Sequence, residues 1–370
     1  MLIGIPKEIK TREYRVGMTP AGVRELTALG HQVLVETAAA IRIGITDDDY
    51  IAAGARIAAD REQVFGEAEL VVKVKEPQLE ECRLLRQGQT IFTYLHLAAV
   101  PAIAEAMLRS GVCGIAYETV IDAAGHLPLL TPMSEVAGRM SIQAAMYFLE
   151  ITHGGRGVLL AGVPGVAPGK VVILGGGVVG RNAAQIAVGL GAEVVIIDRN
   201  AVRMRELEQL FGSKVRTLFS SAEEIQRQIA TADVVVGAVL VAGAAAPRLV
   251  SRQMLSLMQK GSVIVDVAID QGGCFETSKP TTHDDPVFEV DGILHYCVAN
   301  MPGAVPRTST MALTSVTLPH VITLAEKGVR QALKTDPMLG AGLNVLDGQV
   351  THPGVAEALG KHYIASANML

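Results

Sequence analysis

Five polar residues, Arg15, Lys75, His96, Asp270 and Asn300, have types suited to chemistry on a small acid carrying a carbonyl oxygen. Arg offers a planar fork to a carboxylate, and a Lys beside it can polarise a carbonyl oxygen. A His titrating near neutrality can pass a proton at each turnover. In the stretch "VIVDVAIDQGGC" (263–274), Asp270 ends what reads as a buried strand from 263 to 269. An ionised carboxylate at the edge of an apolar layer costs several kcal/mol, roughly, unless it is compensated. An iminium, a protonated amine or a nicotinamide would compensate it during reaction. Taken singly, Lys75 and His96 fit solvated surface, Arg15 fits an ordinary salt bridge, and Tyr94 fits packing. Their shared position distinguishes them. Lys75 follows "LVVKV", His96 follows "TIFTYL", Asn300 follows "ILHYCVA", and Arg15 lies in the loop after the first strand. Ligands of open α/β sheets sit beyond such strand ends.

A second constellation is the stretch "VVILGGGVVGRNAAQIAVGLGAEVVIID". Gly175, Gly177 and Gly180 occupy the glycine positions of G-x-G-x-x-G, with Val178 among the expected cofactor contacts. A strand precedes them, a helix follows, and a second strand ends on Asp198, which is the full context of a dinucleotide fingerprint. Gly175 permits the tight turn, Gly177 admits the pyrophosphate, and Gly180 lets helix and strand pack. The helix N-terminus offers N–H groups to the phosphates. Asp198 can accept both ribose hydroxyls and would repel a 2′-phosphate, which favours NAD over NADP. Arg199 and Arg203 pull the other way.

The elements needed to position these residues recur along the chain. Strands are expected at 2–5, 32–36, 70–74, 90–94 and 113–117, and again at 171–174, 194–197, 215–219, 234–236, 263–267 and 293–298. Helical stretches alternate with them, the pattern of parallel sheets built from βαβ units. Thr19-Pro20 reads as a helix start closed by Gly30, and Ser134 as the N-cap of a long helix at which the chain crosses between domains. Residues 310–334 read as mostly helical, with Pro319 as a kink or break. The expected fold is α/β, two Rossmann-like parallel-sheet domains with the active-site cleft between them.

Bulk composition agrees. A length of 370 residues suggests two domains, and 49% hydrophobic with 19% charged residues describes a globular chain. A net charge of −5 without basic blocks argues against nucleic acid or an anionic membrane as partner. Cys82, Cys113, Cys274 and Cys297 lack metal or disulfide spacing, so no metal site is expected and a reducing compartment fits. With no signal peptide and no apolar run long enough to span a bilayer, a soluble cytoplasmic protein is expected.

The stretches "EYRVGMTPAGVRELTALGH", "VVKVKEP", "FTYLHLA", "IAYETV", "PLLTPMSEVAGR", "GGRGVLLAGVPGV", "AIDQGGCFE" and "YCVANMPGAVPRTST" carry a further indication. Through them the chain resembles the alanine dehydrogenase family up to about residue 345. The resemblance implies reversible oxidative deamination of L-alanine to pyruvate and ammonia with NAD. It implies that Arg15 and Lys75 hold the substrate carboxylate and oxygen, and that His96 is the general acid/base. Asp270 would assist at the carbinolamine and iminium steps, with Asn300 and Met301 beside the nicotinamide. Ser134, Asp198, Arg203, Ser220, Val239 and Leu240 match positions that contact NAD. It further implies a homo-hexamer, a discontinuous substrate domain of residues 1–128 plus 307–370, and an NAD domain of residues 129–306. One stretch departs from the family: "TAAAIRIGITDDDY" (37–50) carries Ala39, Ala40, Ile41 and Arg42 where glycines are usual, leaving Gly44. A positive φ at Ile41 would be strained, so another loop path is expected.

Rival readings are the soluble NAD-binding component of a proton-translocating transhydrogenase, a non-catalytic NAD sensor, and a 2-hydroxy-acid dehydrogenase. The first would not need the amino-acid site that Arg15, Lys75 and His96 complete, the second would have no reason to keep a Lys, His and Asp at three strand ends, and the last needs neither Lys75 nor Asp270.

Overall fold

The fold is taken from a computed structural model, which describes residues 1–239 and 246–370. The first strands are β1 Leu2–Ile5, β2 Gln32–Glu36, β3 Arg56–Ala58, β4 Leu70–Val72, β5 Thr90–Thr93 and β6 Cys113–Ala116. Next come β7 Lys170–Leu174, β8 Glu193–Asp198, β9 Val215–Phe219, β10 Val234–Gly237, β11 Val263–Asp266, β12 Val287–Val290 and β13 Ile293–Tyr296. Two short strands, β14 Leu343–Leu346 and β15 Gln349–Val350, follow near the C-terminus. The chain forms two compact units, residues 1–133 with 305–370, and residues 134–304.

Unit 1 holds a sheet ordered β15-β14-β6-β5-β4-β1-β2-β3, parallel from β6 through β3. Unit 2 holds β12-β13-β11-β10-β7-β8-β9, parallel except for β12. In both, the central strands are unbroken apolar runs buried throughout, such as Leu70–Val72 and Val234–Val236, as strands covered on both faces require. The expected α/β class with two Rossmann-like sheets is therefore observed. Among the described residues no helix is long and apolar enough to cross a membrane. All four cysteines are buried free thiols.

Several boundaries differ from expectation. The helix assigned an N-cap at Ser134 begins three residues earlier, Thr131–Phe148, with Pro132 in its first turn, where a missing N–H is harmless. β4 and β5 stop at Val72 and Thr93, although pairing persists loosely through Lys73 N to Phe92 O and Tyr94 N to Val74 O, both at 3.2 Å. Pro319 does not break its helix. Pro306–Lys327 runs through it, and Gly328, at φ 75°, ends it. β3, β12, β14 and β15 were not foreseen; β14 places Asn344 in the interior, where Nδ2 donates to Thr119 Oγ1 at 2.7 Å and to Gly342 O at 3.0 Å.

In the 37–50 segment the strained backbone anticipated at Ile41 is avoided. Ile41–Ile43 forms a 3-10 turn closed by Gly44 at φ 75°, and the other left-handed residue is Ala38, at φ 55°. Ala lacks the local side-chain bonding that lets Asn or Asp tolerate this region, and Asp47 supplies the support instead, accepting from Ala38 N at 2.8 Å and Thr37 Oγ1 at 2.7 Å. Thr46 and Asp49 then form a reciprocal cap on the helix Asp47–Ala52. The fully buried Tyr50 donates its hydroxyl to Met18 O at 2.7 Å and ties the segment to the loop beyond Arg15. Tyr50→Phe leaves that carbonyl without its donor and should lower unfolding stability by about 1–2 kcal/mol in urea titration, with little change in NADH binding.

Candidate active site

Unit 1 gathers three of the expected residues. β1, β4 and β5 are sheet neighbours running in parallel, so Arg15, Lys75 and His96 all follow the same sheet edge. Arg15 is 2% exposed. Its Nε donates to Glu13 Oε1 and its Nη2 to Glu13 Oε2, each at 2.6 Å, and Nη1 lies 3.1 Å from Met133 Sδ. Burial works against the guanidinium charge, and the paired Glu13 carboxylate more than offsets it, raising the Arg15 pKa. Lys75 is half-buried. Its N–H donates to Glu8 Oε1 at 3.2 Å, and its carbonyl accepts from Thr93 Oγ1 at 2.9 Å.

His96 has a left-handed backbone, φ 49° and ψ 32°. Glu118 holds it there: Oε1 accepts from His96 N at 2.6 Å, and both oxygens lie 3.2 Å from Leu95 N. The same carboxylate reaches to 3.7 Å from His96 Nδ1, and the imidazole lies parallel to the Tyr94 ring with centroids 5.8 Å apart. Backbone strain retained at a proton-transfer candidate is a recurrent mark of functional sites. Tyr94 itself is buried, donates to Leu129 O at 2.6 Å, and packs as expected.

In unit 2 the glycine-rich turn has the geometry its spacing implied. Gly175 sits at φ 100°, and a Cβ on Gly180 would lie 1.9 Å from Gly175 O, so neither position accepts a side chain. A Cβ on Gly177 would meet nothing within 4 Å, which leaves space beside the turn. Gly177 precedes the helix Val178–Leu190 and supplies no side-chain cap, so the helix's first N–H groups have no such acceptor. Asp198, at the end of β8, accepts from Gly176 N at 2.7 Å and Asn200 N at 2.8 Å. These features fit a dinucleotide, with pyrophosphate against Gly177 and a ribose against Asp198.

Ser220 N donates to Asp198 O at 3.0 Å, which sets Ser220 beside Asp198 at the next strand end. Arg203 is engaged by Glu206 at 2.8 Å, and Arg199 is exposed. Half-buried Val239 follows β10, which pairs with β7 at the point where strand order reverses. Leu240 lies outside the described residues. Ser134 sits in the first turns of its helix, half-buried, and Met301 is buried in the same apolar cluster as Val179 and Val298. Asn300 has φ 62°, and its carbonyl lies 3.2 Å from His283 Nε2.

Asp270 requires a correction. β11 ends at Asp266, and Asp270 is an exposed residue on the 3-10 turn Val267–Gln271. The buried strand-end carboxylate is Asp266. It faces neutral donors: Ala268 N at 3.1 Å, Cys274 N at 2.9 Å and Ser278 Oγ at 2.6 Å. Burial raises its pKa, and the Ser278 hydroxyl and the N–H groups of Cys274, Phe275 and Ala268 oppose that rise. Asp266 therefore caps and closes the turn on which Asp270 stands. Sequence reasoning also missed Glu8, Glu13, Lys73 and Glu118. Glu118 follows the strand read at 113–117 and satisfied the same strand-end rule as the others; Met133 gave no signal.

Fold and site together define a two-unit α/β protein of the dinucleotide-binding class. Residues 4–137 match the model of the alanine dehydrogenase/PNT N-terminal domain, and residues 141–353 that of its C-terminal domain. Alanine dehydrogenase from Halomonas elongata is 55% identical over 370 residues, covering 100% of both chains. Alanine dehydrogenase from Bacillus subtilis is 55% identical over 371 residues, covering 100% of this chain and 98% of its own. A solved L-alanine dehydrogenase superimposes with a TM-score of 0.95 at 53% identity, covering 97% of this chain and 99% of its own. A transhydrogenase structure from Sinorhizobium meliloti gives 0.81 at 25% identity, covering 95% and 99%. The chain belongs to the alanine dehydrogenase/PNT family.

Two outcomes follow from this geometry. Gly180→Ala should weaken NADH binding at least tenfold, by about 1.4 kcal/mol or more, in fluorescence titration, because the added carbon displaces the Gly175 turn. Because the Asp266 carboxyl binds its proton more tightly in the folded chain, its contribution favours the fold at low pH. That contribution is lost as pH rises from the ordinary Asp value, about 3.9, through the raised folded value. The difference in unfolding free energy between the parent and Asp266→Asn, measured against pH, should change across that window and level off above it.

Proposed function

We propose that this chain catalyses the reversible oxidative deamination of L-alanine to pyruvate and ammonia with NAD, through the residues placed above. The observation that carries the reading is the arrival of Arg15, Lys75 and His96 at one edge of three neighbouring strands, in a chain with a complete dinucleotide turn. NAD supplies the hydride acceptor. Arg15, oriented by Glu13, would pair with the substrate carboxylate. Lys75 holds the oxygen of pyruvate, or the hydroxyl of the carbinolamine that precedes it. His96 takes the proton released as water adds to the iminium, and returns it as ammonia leaves. Asp270 assists water and ammonia at those two steps, and its exposure gives them access. Asn300 and Met301 flank the nicotinamide. Val178, at the start of the helix, and Ser134, Arg203, Ser220 and Val239 would complete the dinucleotide contacts, and Asp198 would select NAD.

The family resemblance supports a cytoplasmic homo-hexamer. Four buried free thiols fit a reducing compartment. Exposed Tyr147, Ile151 and Leu159 line one apolar groove of unit 2, a surface suited to a second copy. A transhydrogenase component would have no use for the Arg15, Lys75 and His96 group, which favours the amino-acid reading.

The deciding experiment is NADH formation from NAD and L-alanine, with D-alanine, L-serine, glycine and lactate in parallel, and the reverse reaction with pyruvate and ammonia. Turnover on L-alanine in both directions is expected; silence on every substrate would overturn the reading. His96→Ala should lower kcat by about 10²–10⁴-fold while NADH binding stays within twofold.

A further inference from the structure

We infer that Glu8 is a positioning residue that acts through Lys75, an assignment that rests on the function proposed above. Glu8 lies in the loop between β1 and Arg15. Its Oε1 accepts from two consecutive backbone groups, Val74 N at 2.7 Å and Lys75 N at 3.2 Å. Its Oε2 lies 3.1 Å from Lys73 Nζ, which also reaches Glu81 Oε1 at 2.7 Å. Lys73 and Glu81 are completely buried, and Glu8 nearly so. Burial works against the Lys73 charge, and the Glu8 and Glu81 carboxylates outweigh it, holding the ammonium above its ordinary pKa.

A buried ionic triad is a poor source of stability, since desolvating three charges consumes most of their attraction, and an apolar trio of similar volume does as well. What the triad does provide is a fixed main chain. Tyr117 Oη donates to Lys73 O at 3.0 Å, Glu8 holds the next two N–H groups, and Thr93 holds Lys75 O at 2.9 Å. Residues 73–75 are thus pinned by side chains at four backbone groups, Lys73 O, Val74 N, Lys75 N and Lys75 O. The loop from β1 crosses so closely that a Cβ on Gly17 would lie 2.4 Å from Val72 O. The loop carrying Arg15 and the strand end carrying Lys75 are locked together through Glu8, so the spacing of the two proposed substrate contacts depends on it. Misplacement of a substrate-positioning group by about 1 Å can cost roughly 10²-fold in rate.

The test is a double-variant cycle with Glu8→Gln, Lys75→Ala and the pair. It is read as kcat/KM for pyruvate and as binding of oxamate, a pyruvate isostere, to the protein–NADH complex. Glu8→Gln keeps the side-chain shape but sets an amide N–H against either Lys73 or the two backbone N–H groups. Expected is a tenfold to hundredfold fall in kcat/KM, weaker oxamate binding, and an unchanged NADH dissociation constant. In the Lys75→Ala background, Glu8→Gln should add less than twofold to either quantity. Equal losses in both backgrounds, or a Glu8→Gln variant with parental kinetics, would overturn the assignment while leaving the proposed reaction standing. A Lys75→Ala variant as active as the parent would instead remove the role given to Lys75, and the role of Glu8 with it. Should Glu8→Gln fail to fold, Glu8→Asp, which retains the charge one methylene further back, should show a smaller loss with the same dependence on Lys75.

Discussion

Glu8, Glu118, Asp198 and Asp266 share one arrangement on which the candidate site depends. Each carboxylate lies at or beyond a strand end and accepts backbone N–H groups of the loop that carries, or borders, a candidate functional residue. Loop backbone that leaves a sheet loses its ladder partners, and buried N–H groups must find others. A carboxylate can serve several at once, through charge-assisted bonds stronger than neutral ones. The result is loop residues held almost as firmly as strand residues. Glu118 stabilises a left-handed His96 that its own backbone preference disfavours, and Asp198 holds the glycine turn through Gly176.

The two units meet the same demand with different chemistry. Unit 1 relies on charge pairs, Arg15 with Glu13 and Lys73 with Glu8 and Glu81. Unit 2 relies on missing side chains, since the Gly175–Gly180 approach is too close for any Cβ. Asp198 joins the two strategies. Its oxygens already accept Gly176 N and Asn200 N, and an ionised carboxylate has further lone pairs for ribose hydroxyls. Substituting it would therefore disturb the turn as well as the selectivity.

The dinucleotide fingerprint was legible because it is local: glycines, helix and acidic strand end lie within thirty residues or so. The strand-end placement of Lys75 and His96 was legible for the same reason. The identity of the buried acid in "VIVDVAID" was not. The 3-10 turn returns Ala268 and Ile269 to the interior, so the apolar run continues past the true strand end at Asp266. Periodicity cannot separate those two geometries, although the Asp within the run marked the place. The partners of Arg15 and Lys73 are set by tertiary approach across neighbouring strands or by a local loop, and residue type alone does not choose among the available acids. The 37–50 loop lay between these cases: its departure from glycine was visible, but the assignment of positive φ to Ala38 depended on Asp47 reaching back.

The sheet of unit 1 is completed by a segment far from the rest of it. β14 pairs antiparallel with β6, through Leu343 opposite Ile115 and Val345 opposite Gly114. On the ribosome, β6 is therefore made long before the strand that covers its open edge. At roughly 5–20 residues per second, the wait is on the order of ten to fifty seconds. Throughout that interval β6 presents unpaired N–H and C=O groups, a template for pairing with another nascent chain. Unit 2 is contiguous and can finish folding within the same interval. The central unit is thus the first to have all its strands synthesised, and for a time the nascent chain carries every strand of one unit while the other still lacks its last two.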